Sequence, residues 1–165
     1  MNAPVLVDSN VYIGLLRRGL DPSEILADWI GSGDLATCGM VRLEVERVLR
    51  IEKIRHRVGA FFDVLINVPT SNKIWEQAAG QAWTLDRSGI TLPAQDILIA
   101  TSAQEIGAAV LTDEKHFEEF TGLQVFNAKS RVFGGNSSGS IGSPEPPSRL
   151  PMASAGFSFQ TCTPW

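Results

Sequence analysis

Cysteine, excess basic charge and long apolar runs are all scarce in this 165-residue chain. The two cysteines, Cys38 and Cys162, lie far apart in unlike surroundings. That excludes a disulfide framework and a cysteine-based metal site, and leaves a reducing cytoplasm as the expected compartment. Fourteen Lys and Arg stand against eighteen Asp and Glu, for a net charge of −4. A protein that coats polyanions along its whole surface is excluded; a nucleic acid would have to meet a local basic patch. No apolar stretch approaches the ~20 residues of a membrane-spanning helix. Residues 1–8 lack the charged start and long apolar segment of a secretory signal, so no membrane role is expected. There is no phosphate-cradling glycine loop and no Gly-x-Ser-x-Gly elbow. His56 and His116 have no companion at metal-ligand spacing, and each is expected to be a surface or packing residue. Asp8-Ser9-Asn10 lacks the second acid, two residues on, that an aspartate-nucleophile phosphatase needs.

Hydrophobic residues make up 44% of the chain and charged residues 19%, enough apolar material for one core. That core is expected within residues 1–133. Beyond them Gly, Ser and Pro account for 17 of 32 residues and only Glu145 and Arg149 are charged, so residues 134–165 read as a disordered tail. Within residues 1–133, β and α patterns alternate. Short apolar runs at 5–7, 35–38, 66–68, 109–112 and 123–126 predict strands. Helices are predicted over 10–18, 22–30, 40–53, 71–85 and 93–106, with another beginning near 57 and a short one at 116–120. Asp21-Pro22-Ser23-Glu24 is a strong helix start, with a capping acid, proline at the first helical position and an acid three residues after the cap. Gly107 supplies a helix stop. Alternation of this kind implies a mostly parallel sheet covered on both faces, with ligands at the carboxyl ends of its strands.

Four acidic positions sit where such a sheet would bind something. Asp8 follows the first strand directly; it could cap the next helix, but Ser9 and Asn10 are available for that. Glu44 has Val48 and Ile51 at i+4 and i+7, which places it on an apolar stripe. Glu46 has Arg42, Arg50 and Lys53 at helical spacing, a solvated ion-paired face. Asp96 opens a helix whose same face continues through Ile99, Ala100 and Ala103. The helix dipole favours an acid there but does not require it on the apolar side. Asp113 and Glu114 follow the fourth strand, and either could be the site residue. Converging carboxylates repel one another unless a hard cation neutralises them. An all-oxygen set suits Mg²⁺ better than zinc.

In order and spacing, four segments resemble the PIN-domain nucleases, and within them the VapC-type ribonuclease toxins of type II toxin–antitoxin pairs. Val5-Leu6-Val7-Asp8-Ser9-Asn10-Val11 looks like the opening strand and first acid. Cys38-Gly39-Met40-Val41-Arg42-Leu43-Glu44-Val45 looks like the second motif. Asp96-Ile97-Leu98-Ile99-Ala100-Thr101-Ser102-Ala103 is similar to the third, and Leu111-Thr112-Asp113-Glu114-Lys115-His116-Phe117 to the closing one. The resemblance covers roughly residues 4–128. It departs in the fourth acid, usually Asp two after the Thr and here Glu114 with Asp113 beside it, and in the tail, which is foreign to the family.

The resemblance implies a three-layer α/β/α sandwich with a mostly parallel central sheet, and Mg²⁺- or Mn²⁺-dependent cleavage of RNA by water activated within the carboxylate cluster. It also implies a homodimer and a small antitoxin that blocks the acidic site. Asp8 and Asp96 would hold the ion, Glu44 would complete or orient its ligands, and Asp113 or Glu114 could hold a second ion or position water. RNA needs positive charge. Residues 42–57 hold six Lys and Arg, either an ion-paired helix face or a rim for phosphates; Arg17-Arg18 is a smaller candidate. Trp29, Trp75 and Trp83 are expected in the core or a dimer contact. Two other readings stay open: a non-toxin PIN nuclease acting in RNA processing or on DNA, and a catalytically weak scaffold that binds a partner.

Overall fold

A computed structural model describes residues 3–30 and 34–132. These all fall within one compact unit, Met1–Gly135. The expected boundary at residue 134 and the Gly/Ser/Pro-rich tail lie outside the described residues, as do the side chain of Trp29 and that of Trp165.

The elements run β1 (Val5–Val7), α1 (Ser9–Arg17), α2 (Pro22–Ile30), β2 (Leu35–Cys38), α3 (Gly39–Val48), α4 (Glu52–Asp63), β3 (Ile66–Val68), α5 (Asn72–Arg87), α6 (Ala94–Glu105), β4 (Ala109–Thr112), a 3₁₀ helix (Lys115–Glu119), β5 (Val125–Asn127) and α7 (Ala128–Arg131). The five strands form one sheet in the order β3-β2-β1-β4-β5, and every neighbouring pair is parallel. Successive strand residues point to opposite faces. All residues of β1, β2 and β4 are nevertheless buried, so both faces of the sheet centre are covered. That is the three-layer α/β/α architecture. α1 contacts α2 and α3, α4 contacts the same two, and α5 packs on α6.

Local chemistry sets the helix starts. Pro22 occupies the first position of α2, and the Asp21 carboxylate accepts from the Ser23 amide at 2.9 Å and its hydroxyl at 2.6 Å. Ser71 caps α5 by accepting from the Ile74 amide at 3.4 Å. α6 is buried all round from Ile97 to Ala103, so the Thr101 and Ser102 hydroxyls turn back to the carbonyls of Ile97 and Leu98. It stops at Gly107, whose φ of +64° suits a residue without Cβ.

The structure departs locally from what the sequence predicts. The predicted helix over 40–53 is two helices: Leu49 adopts an extended conformation after Val48, and α4 starts at Glu52 rather than near 57. The reversal lets α4 bury Val58, Phe61 and Phe62, where Phe62 meets Tyr12 edge-on at 5.1 Å between ring centroids. An uninterrupted helix would carry that apolar face past the core. Trp75 and Trp83 are 53% and 61% exposed, which overturns the core alternative expected for them and not the dimer-contact one; Arg87 lies over the Trp83 ring at 4.3 Å. The short helix near residue 116 is of the tighter 3₁₀ type, and α7 was not expected.

Candidate active site

The strand order places a topological switch between β1 and β4: β1 leads outward to β2 and β3, and the chain then crosses to β4 and β5. Parallel sheets leave a crevice at the carboxyl ends there. Asp8 follows β1 at this point and is 3% exposed. Its Oδ1 accepts from the Ser9 amide at 2.7 Å, capping α1. Its Oδ2 accepts from the Thr112 hydroxyl at 2.7 Å, which reaches across from the end of β4. Thr112 Oγ1 in turn accepts from Asn10 Nδ2 at 3.2 Å and from the Glu114 amide at 3.0 Å. One hydroxyl thus ties together two strand ends and the segment after β4.

Glu44 comes to the same place from α3. Its Oε2 accepts from the Ser9 hydroxyl at 2.7 Å, and that hydroxyl also lies 3.4 Å from Asp8 Oδ1. The reason differs from the one expected. Val48 is 46% exposed and Ile51, beyond the helix, 57% exposed. The buried stripe of α3 is Val41 and Val45, and Glu44 stands beside it, half-buried. Glu46 lies on the other side, ion-paired with Arg42 at 2.7 Å and with Arg55 at 3.2 Å. Arg55 takes the place expected for Arg50 and Lys53, because the break at Leu49 brings α4 back alongside α3.

Asp96, in the first turn of α6, is the third acid. Its carboxylate acts on Asp8 as a like charge, as does that of Glu44. Burial is the main cause that pushes the Asp8 carboxyl up to about 6 from 3.8; the charges of Asp96 and Glu44 push the same way, against the hydrogen bonds from Thr112 and Ser9. Glu44 is thus joined to Asp8 through the Ser9 hydroxyl, and Asp96 lies near enough to act on the Asp8 charge. Asp113 and Glu114 separate: the Glu114 side chain is exposed, whereas Asp113 is half-buried, with Oδ1 buried and without a hydrogen-bond partner. Neither is among the main charges acting on Asp8.

Three contributors were missed in the sequence: Ser9, which links Asp8 to Glu44; Thr112, which fixes Asp8; and His116, whose Nδ1 lies 2.8 Å from Asp96 Oδ2. His116 is thus not a plain surface or packing residue. Only tertiary structure pairs it with an acid twenty positions away. Of the basic run, Arg42, Arg55 and Arg57 are engaged in ion pairs with Glu46, Asp63 and Asp21, which favours the ion-paired face.

Among the described residues no three carboxylate, imidazole or thiol groups already converge on one point. The oxygen set still fits a hard cation. Mg²⁺ is usually held by one or two carboxylates and keeps several waters, so a closed protein cage is not needed. Each Asp8 oxygen uses only part of its accepting capacity, and a cation would offset both the burial of its charge and the repulsion from Asp96 and Glu44.

A family model described as the PIN domain matches residues 5–123. No curated protein matches the chain by sequence. Among solved structures, a chain of VapBC2 from Rickettsia felis, in a complex bound to a promoter DNA fragment, is 18% identical with a TM-score of 0.64, and the match covers 75% of this chain and 98% of that one. A chain of DNA-bound VapBC from Salmonella typhimurium is 18% identical with a TM-score of 0.63, covering 76% and 98%. One of VapBC-1 from nontypeable Haemophilus influenzae is 19% identical with a TM-score of 0.62, covering 75% and 97%. At these identities the likeness establishes a shared fold.

Proposed function

We propose that this chain, which belongs to the PIN-domain family, is a metal-dependent endoribonuclease and the toxin of a toxin–antitoxin pair. The observation that carries the reading is the buried Asp8 at the sheet's switch point, held by Thr112 and Ser9, joined to Glu44 through the Ser9 hydroxyl and within reach of the Asp96 charge. The structural neighbours that are toxin–antitoxin complexes support the cellular role. By the same analogy the partner is an antitoxin; a homodimer is what the resemblance to the VapC-type toxins implies, and a cytoplasmic location is what the scarcity of cysteine suggests.

Asp8 and Asp96 would hold Mg²⁺ or Mn²⁺, with Glu44 completing or orienting the set and Asp113 the better placed of the two remaining acids. A bound ion would acidify water and offset charge on the phosphate during in-line displacement. The chain's own residues do the positioning. Thr112 and the Ser9 amide fix both Asp8 oxygens, so that carboxylate cannot rotate away. Ser9 sets Glu44 relative to Asp8 through one shared hydroxyl. The buried walls around Asp8 exclude bulk water, which strengthens every charge interaction at the site. Phosphodiester cleavage is the reading most consistent with carboxylates as the functional groups; the Cys38 thiol near Asp8 is buried and burial pushes its pKa up, which keeps it a protonated, poor nucleophile. A processing or DNA-directed PIN nuclease shares this site, and substrate assays separate the two.

Purified protein should cut RNA with Mg²⁺ or Mn²⁺ and stop on addition of EDTA. Asp8→Asn and Asp96→Asn should each reduce the rate by at least ~10²-fold, the scale set by losing charge stabilisation in a catalytic site. A folded Asp8→Asn variant that cleaves at the wild-type rate contradicts the proposal. Preference for DNA over RNA would favour the alternative.

A further inference from the structure

We infer that His116 is a positioning residue that fixes the Asp96 carboxylate for the cation; the inference rests on the nuclease reading above. Among the described residues His116 is the only hydrogen-bonding partner of the Asp96 side chain, at 2.8 Å from Nδ1 to Oδ2. A carboxylate only accepts, so Nδ1 carries the hydrogen, and in the neutral ring Nε2 does not. One Asp96 oxygen is thereby committed to the imidazole, and the other is left for a ligand.

Both ends of this bond are mounted on fixed structure. The backbone of Asp96 opens α6, which is buried on every side one residue later. His116 precedes Phe117, which is fully buried, and Phe120, which is 4% exposed, with their rings 6.3 Å apart. The aromatic pair anchors the 3₁₀ helix in the core and holds the imidazole over the end of α6. Asp8 has two donors to set its orientation. Asp96 has only this one, and without it the carboxylate is free to rotate about its own bonds. Partners of metal-binding side chains fix orientation and tune affinity in the same way.

The test uses the full chain and Mn²⁺ as probe, with affinity measured by isothermal titration calorimetry alongside RNA cleavage. His116→Ala should weaken Mn²⁺ binding ~10-fold or more, the range found for such partners, and lower kcat while KM for RNA stays nearly constant. His116→Asn places an amide N–H where Nδ1 stood and should restore most of both. Wild-type affinity in His116→Ala overturns the inference, and so does equal weakening in the Asn and Ala variants. A wild-type protein that neither binds Mn²⁺ nor cleaves RNA overturns the nuclease reading and this inference with it. Intact wild-type binding beside an indifferent Ala variant overturns this inference alone. Without any variant, long-range ¹H–¹⁵N spectra of the wild type at mildly alkaline pH should show the hydrogen on Nδ1; a hydrogen on Nε2 overturns the inference even if the variants fail to fold.

Discussion

Burial and two neighbouring carboxylates work against ionisation of Asp8, whose pKa rises from 3.8 to about 6. A raised folded-state value means that folding favours the protonated form. Stability from this group is therefore fully present below pH 3.8 and is lost as pH rises through about 6. The metal-free protein should melt at a higher temperature as pH falls from neutral towards 5. The contribution is at most about 3 kcal/mol. Asp8→Asn should abolish that part of the pH dependence, and saturating Mg²⁺ should reduce it; parallel melting curves for wild type and variant across this range would contradict the assignment. Glu44 and Glu46 differ in another way. Glu44→Gln keeps an oxygen for the Ser9 hydroxyl but removes a site charge, so cleavage should fall by ~10²-fold or more with little change in melting temperature. Glu46→Gln loses partly exposed pairs with Arg42 and Arg55, worth about 1 kcal/mol or less, and should cleave RNA normally. Reversal of these two activity phenotypes would place α3 in the wrong rotation about its axis.

Helix α1 starts at the site with Ser9 and contributes Val11, Tyr12 and Leu15 to the core, and its packing holds one imperfection. Tyr12 is fully buried, its ring edge-on to Phe62 and Phe61, yet its hydroxyl has no hydrogen-bond partner. Burial also pushes that hydroxyl's pKa well up, keeping it neutral. An unpaired buried hydroxyl costs about 1–3 kcal/mol of desolvation. Tyr12→Phe preserves the ring contacts and should stabilise the protein by about 1 kcal/mol or more, read as a raised midpoint in urea unfolding. A lower midpoint would show that the hydroxyl has a partner, such as a buried water. Because the ring contacts with Phe61 and Phe62 that seat α1 are kept, Ser9 and Asn10 stay in place and the variant should leave cleavage unchanged.

At the scale of the whole molecule the described residues all fall within the unit Met1–Gly135. α7 belongs to it, with Ala128 fully buried. A cut after Lys129 would divide that helix, so the informative truncation ends at Gly135. This shortened protein should keep its melting temperature and nuclease rate, because a segment rich in Gly, Ser and Pro has little apolar area to offset the entropy of ordering it. A loss of several degrees would give residues 136–165 a structural role.

The alternation of short apolar runs with helical periods determined the α/β class, the parallel sheet and the position of Asp8, because strand burial and helix amphipathicity are local patterns. The acids at strand ends and helix starts were legible for the same reason. Asp96 was placed by a stripe through Ile99, Ala100 and Ala103; these are buried, but so is every other residue from Ile97 to Ala103, so the helix has no single apolar side and the stripe did not by itself single out that acid. Glu44 was identified by a stripe through Val48 and Ile51 that does not exist, since nothing local announces that the helix ends before Leu49. That break follows from burying Phe61 and Phe62 against Tyr12, contacts between residues some fifty positions apart. The hydroxyl of Thr112 on Asp8 spans 104 positions and the imidazole of His116 on Asp96 spans twenty. Pairings of this kind depend on strand order and on where a 3₁₀ helix is anchored, and only the folded chain decides those.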